Sequence, residues 1–108
     1  MTVKELSLNE KIKPVVMPNG DREIKGGYVG DLLSWVMGRA REDDAWITIM
    51  SNINILAVAS LADVSCIILA EGVSADEETV KTANEKKINI LSSDLNSYEL
   101  ATLVEKLI

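Results

Sequence analysis

From Ala45 onward, short apolar runs alternate with longer amphipathic stretches, and the alternation predicts three strand-helix units in succession. Ala45 to Met50 is rich in β-branched and aromatic residues and reads as a strand. Ile53 to Asp63, with Ser51 or Asn52 available as a cap, reads as a helix. The alternation at Ile53, Ile55 and Ala57 argues for a strand, but extended chain from 45 to 61 leaves no room for a crossover. Cys66 to Ala70 is the next strand, followed by a helix from Ala75 to about Lys87 with capping-box spacing at Ser74 and Glu77. The charges suit the helix dipole, with Asp76, Glu77 and Glu78 in the first turn and Lys86 and Lys87 in the last. Ile88 to Ser92 is the third strand. Asn96 and Glu99 then open a helix whose Leu100, Leu103, Val104 and Leu107 form one apolar stripe, with Leu95 placed to staple onto Leu100. Units of this kind pack as a parallel sheet with right-handed crossovers.

The first third of the chain has weaker periodicity. Thr2 and Glu5 have the spacing of a capped helix over residues 2 to 9. Lys13 to Met17 reads as a strand, turned by Pro18-Asn19-Gly20-Asp21 into a second extended piece, Arg22 to Lys25, which together predict a hairpin-like entrance. Beyond Gly26 and Gly27 the period becomes helical at Leu32, Leu33, Val36 and Met37, with Gly38 as a stop. The expected fold class is α/β: a Rossmann-like three-layer domain with a mainly parallel sheet and that N-terminal hairpin.

Length and composition fit one domain over residues 1–108. A chain of 108 residues with 47% hydrophobic side chains can fill one core, and the absence of Phe leaves it to Ile, Leu, Val, Ala and Met. A net charge of −6 repels a phosphate backbone and argues against general nucleic-acid binding. The longest strongly apolar stretch, Ile53 to Ala62, is half the ~20 residues a bilayer span requires, and the N-terminus lacks the pattern of a secretory signal. No membrane association and a cytoplasmic location are expected. Cys66 sits in the apolar run Cys66 to Leu69 and reads as a buried small hydrophobe.

With no histidine and one cysteine, Ser-His-Asp and Cys-His catalysis and nitrogen-sulfur zinc sites are excluded. Glu42-Asp43-Asp44, the densest acidic cluster, reads as a solvated turn, so no metal, cofactor or catalytic residue is assigned. Gly26-Gly27-Tyr28-Val29-Gly30-Asp31 follows an extended piece and opens a helix, where backbone amides can cradle an anion. It matches neither phosphate-loop pattern, and two glycines equally permit a tight turn and close packing. Ligands of open parallel sheets gather beyond the carboxyl ends of the strands, which nominates Ser51, Asn52, Ser92 and Ser93 alongside Gly26 and Gly27 as ligand-binding residues. Helix capping explains the same polar groups.

Residues 52 to 63 point to self-association. Ile55, Val58, Ala59 and Ala62 share one helical face, whereas Ile53, Leu56, Ala57 and Leu61 point in other directions and make a candidate dimer interface. The expectation is a homodimeric binding or regulatory domain and not an enzyme.

Asp21-Arg22-Glu23-Ile24-Lys25-Gly26-Gly27-Tyr28-Val29-Gly30-Asp31-Leu32-Leu33-Ser34 resembles the signature of the DRTGG domain family. Trp46 to Ile49, Asn54 to Ala59 and Ile90 to Asp94 are similar to it too, and Lys25 stands where the family has threonine. The resemblance implies a Rossmann-like domain related to the N-terminal domain of HPr kinase/phosphorylase, found in bacteria alone or beside regulatory domains such as CBS pairs. It further implies a protein partner in a hydrogenase or redox setting, with a small-ligand sensor for a nucleotide or other anion as the alternative. The kinase label of some relatives does not carry over, because this chain has no Gly-Lys-Ser or Gly-Lys-Thr.

Overall fold

The computed structural model describes residues 1–108. The elements in chain order are α1 (Val3–Leu6), β1 (Lys13–Val16), β2 (Gly26–Val29), α2 (Leu33–Arg39), β3 (Asp44–Thr48), α3 (Asn54–Ala62), β4 (Cys66–Leu69), α4 (Glu77–Glu85), β5 (Ile90–Ser92) and α5 (Ser97–Leu107). The five strands form one sheet in the order β1-β5-β4-β3-β2. β2 to β5 are parallel, and β1 joins β5 antiparallel with a register irregularity between Pro14 and Val16.

Two apolar clusters divide the sheet by the period-2 alternation of its strands. Trp46, Ile67, Leu69 and Ile90 face one side, packed with Val36 of α2, Ile55, Leu56, Val58 and Ala59 of α3, and Ala83 of α4. Ile47, Ile68 and Leu91 face the other, against Val3 and Leu6 of α1 and Leu100 and Val104 of α5. The result is a three-layer α/β fold. Every residue of β3 and β4 is buried, as central strands covered on both faces must be. Trp46, fully buried, satisfies its indole N–H by donating to the Gly30 carbonyl at 2.9 Å.

The predicted N-terminal hairpin does not form. β1 and β2 occupy opposite edges of the sheet, and residues 22 to 24 pair instead with the N-terminal arm, through Val3 N–H to Arg22 O and Ile24 N–H to Met1 O. The physical reason lies in Asn89, remote in sequence and buried. Its side chain accepts from Asn19 N–H at 2.9 Å and donates to the Asn19 carbonyl at 2.8 Å, so the turn docks onto the start of β5. The glycine pair, which reads as a turn before a helix, is itself strand: Gly26 to Val29 lie in parallel register with Asp44 to Ile47.

Helix starts differ by one or two residues where a better cap competes. α4 begins at Glu77 because Asp76 accepts from Thr79 N–H at 2.8 Å, displacing the Ser74–Glu77 box. That hydrogen bond holds the Asp76 carboxyl below its ordinary range. α5 starts as predicted, with both halves of the Asn96–Glu99 box present. α1 has the Thr2–Glu5 box but stops at Leu6. On α3, Leu56 is buried against the core and leaves the predicted interface; Ala57 and Leu61, and Ile53 at the N-cap, are exposed.

Candidate functional site

The carboxyl end of the sheet is closed by its own backbone. α4, which follows β4, packs on one face and α5, which follows β5, on the other, and such a divergence is where open α/β sheets usually leave a crevice. Here the two loops are laced together: Glu71 N–H donates to Leu95 O at 2.8 Å and Gly72 N–H to Ser93 O at 2.9 Å. Glu71 and Gly72 take left-handed conformations to present those amides. Ser93 is buried, donates its N–H to Leu69 O at 2.9 Å, and accepts from Leu95 N–H at its hydroxyl. Ser92 is a rung of β5 opposite Lys13 and Leu69. Asn52 turns its side chain onto Asn54 N–H, and Ser51 is half-buried beside it. Asp31, expected in a helix turn, pins the end of β3 by accepting from the Thr48 hydroxyl at 2.8 Å and Ile49 N–H at 2.9 Å.

Gly26 and Gly27 lie at the opposite end. β2 runs parallel to β3, so its first residues sit beside Asp44, the start of β3, while Ser51 and Asn52 follow the finish. The six nominated residues therefore do not share one edge. The glycine pair is also unequal. A Cβ on Gly26 would come within 2.8 Å of Asp44 Oδ1, whereas one on Gly27 would meet nothing nearer than the Ala45 carbonyl at 3.6 Å. Gly26 is glycine because the half-turned-in carboxylate of Asp44 needs the space. Packing within the chain gives no such reason for Gly27.

Beside Gly26 and Gly27 opens a cleft of about 540 Å³ lined by Lys25, Tyr28, Arg39 and Arg41, with Glu42 and Asp44. Arg39 lies over the exposed Trp35 ring at 3.9 Å, and Asp44 accepts from Arg41 N–H at 2.8 Å. The cleft thus holds three cations on a chain of net charge −6. Sequence reasoning misses Arg39 and Arg41; the signal it had was Arg39-Ala40-Arg41 directly after Gly38.

Arg22 anchors this end. Its guanidinium pairs with Asp43 at 3.0 Å and Asp63 at 2.9 Å and donates to the Asp63 carbonyl, while Lys25 reaches Asp43 at 3.5 Å. Burial alone lowers the Arg22 pKa, but hydrogen bonds to Asp63 and Asp43 and their charges outweigh it and raise the pKa above its ordinary value. Both aspartates adopt left-handed backbone, which short polar side chains tolerate. Burial pushes the Cys66 thiol up to about 12, which makes it a packing residue and not a nucleophile.

The family model of the DRTGG domain matches residues 28–107. The chain belongs to the DRTGG domain family. The matched segment starts at Tyr28, so the Asp21 to Gly27 stretch that carries the motif resemblance precedes it. Among solved structures, this DRTGG chain is similar to the CBS and DRTGG domains of the regulatory region of Clostridium perfringens pyrophosphatase, complexed with its activator, diadenosine tetraphosphate. The TM-score is 0.70 at 17% identity, over 86% of this chain and 41% of that one, and the likeness is one of fold. No curated protein matches the sequence. No helix is long and apolar enough to cross a membrane.

Proposed function

We propose that this DRTGG chain, residues 1–108 as one domain, is a regulatory domain that acts by binding as a homodimer and without catalysis. The observation that carries the reading is a group of large apolar side chains left open: Val29 of β2, Trp35 of α2, Ile53 at the N-cap of α3 and Leu61 within α3 are 48%, 54%, 39% and 69% exposed. Apolar surface of that kind favours a partner, at roughly 25 cal/mol per Å² covered. Family membership supports the regulatory role. The cytoplasm of a bacterium and a protein partner in hydrogenase or redox regulation complete the proposal, on the family resemblance. Light scattering from 1 to 100 µM, roughly the range in which weak dimers assemble, tests it: a dimer mass is expected, and a monomer throughout refutes the homodimer.

A small-ligand sensor is the second reading, favoured by the cleft that gathers Lys25, Arg39 and Arg41. The cleft offers charge-assisted hydrogen bonds to a phosphate-bearing ligand, and the exposed Trp35 beneath Arg39 offers a stacking face. The activator complexed with the pyrophosphatase regulatory region is a dinucleotide polyphosphate, which supports testing nucleotides first. Titration of diadenosine tetraphosphate by calorimetry should give binding that weakens at least about tenfold in Arg41→Gln, which removes one charged contact; no heat with the wild-type chain rejects this reading.

A further inference from the structure

We infer that a second copy of this chain docks antiparallel along the open edge of β2, with Tyr28 on the twofold axis, so that the two sheets become one. The inference rests on the homodimer reading and names its surface.

Each residue of a strand turns its N–H and C=O to the same side, and successive residues alternate. Gly30 N–H donates to Ile47 O, and the register sets Tyr28 beside Trp46 and Val29 beside Ile47. Gly26, Tyr28 and Gly30 therefore face inward to the ladder, and Gly27 and Val29 present their amides and carbonyls outward. Nothing covers that row: β2 has β3 as its one neighbour, contains no proline, and shows no register irregularity. An isologous pairing needs a strand complementary to its own reverse. Centring the pair on Tyr28 sets the outward Gly27 opposite the outward Val29 of the other copy, where the two exchange both backbone hydrogen bonds, on each side of the axis. It also sets Lys25 opposite Asp31 of the other copy.

Both of those matches are favourable, and each occurs twice. Val29 is 48% exposed in the single chain, and the room over Gly27 is the room its opposite number would fill. That supplies the reason for glycine at 27 which packing within the chain does not. Lys25 and Asp31, both exposed, meet with opposite charge, whereas centring on Gly27 would put Lys25 against Val29.

Directly opposed residues of a hydrogen-bonded pair in an antiparallel ladder have Cα atoms about 5.5 Å apart, within disulfide range. Gly27→Cys and Val29→Cys chains, prepared separately and mixed under mild oxidation, are expected to cross-link to each other, while neither cross-links to itself. The native Cys66 is buried and its thiol pushed up to about 12, so it stays silent. Gly27→Val should leave the melting temperature of the chain intact and weaken the dimer by roughly tenfold or more. A wild-type dimer with no mixed cross-link, self-linking of either single variant, or an unweakened Gly27→Val dimer overturns this surface and leaves the homodimer standing. A wild-type monomer at every concentration removes both.

Discussion

The two edges of the sheet are built on opposite plans. β1 carries Pro14, an exposed Lys13 and a register irregularity between Pro14 and Val16, the devices by which proteins spoil an edge for further pairing. β2 itself carries none of them; Lys25 precedes it, and Asp31 follows it after Gly30. A chain that guards one edge and leaves the other open in a sheet of five strands has two different uses for them. The guarded edge ends the fold; the open one is available to continue it.

The rival to that comparison is the helical surface on α3, and the largest expected effect separates the two. Leu56→Glu puts a charge into a fully packed site and should cost more than about 4 kcal/mol, seen as loss of the cooperative thermal transition. Leu61→Glu, at a 69% exposed position, should change stability by less than about 0.5 kcal/mol. If Leu61→Glu nevertheless dissociates the dimer, the interface lies on α3 and the contrast between edges loses its meaning.

Arg22 ranks next, because it holds the root of β2. Arg22→Gln frees the carboxylates of Asp43 and Asp63 from a charged donor and should cost about 2 kcal/mol in chemical denaturation. Within β2 the two glycines should respond with opposite sign. Gly26→Ala drives a methyl into the buried Asp44 carboxylate, itself held by Arg41 N–H, and should cost about 1 kcal/mol. Gly27→Ala meets no close atom and should gain about 0.5 kcal/mol in the isolated chain by restricting the unfolded state. Equal effects at the two positions would break the argument that Gly27 is kept for a partner.

Much of this fold is legible in the sequence, and the misreadings share a cause. β3, β4 and the stripe of α5 follow from local pattern: buried on both faces, Ala45 to Ile47 and Cys66 to Leu69 need only be apolar, and Asn96 and Glu99 cap the last helix through a three-residue spacing. The Gly26–Val29 segment has low intrinsic strand preference in its first half and becomes a strand through its ladder with Asp44 to Ile47. The Pro18 to Asp21 turn is visible in its residues, but where it leads depends on Asn89, 70 residues from Asn19. The cleft escapes a local reading for the same reason. Lys25 and Arg41 become neighbours through topology, and no local spacing announces it. The serines at the carboxyl end are legible as polar groups at strand ends, yet the hydrogen bonds that occupy Ser93 come from a loop laced to its neighbour.

The smallest expected effect is that of acid, and it should leave the edges alone. Backbone N–H donation from Thr2 to Glu5 and from Thr79 to Asp76 lowers both carboxyl pKa values from 4.5 and 3.8. A lowered folded-state pKa contributes stability above the unfolded value that is lost as pH falls through the folded one, so α1 and α4 should begin to fray only below about pH 4. Circular dichroism between pH 7 and 2 would check this; helix loss already complete at pH 5 would contradict it.

Hydrogen exchange followed residue by residue at low and high protein concentration tests the difference between the edges most directly. The outward amides of Gly27 and Val29 are expected to exchange quickly in dilute solution and to slow as concentration rises through the dimerisation range, while the outer amides of β1 stay fast throughout. Exchange at Gly27 and Val29 that ignores concentration, or protection that rises on α3 or β1 instead, would contradict the contrast between the edges.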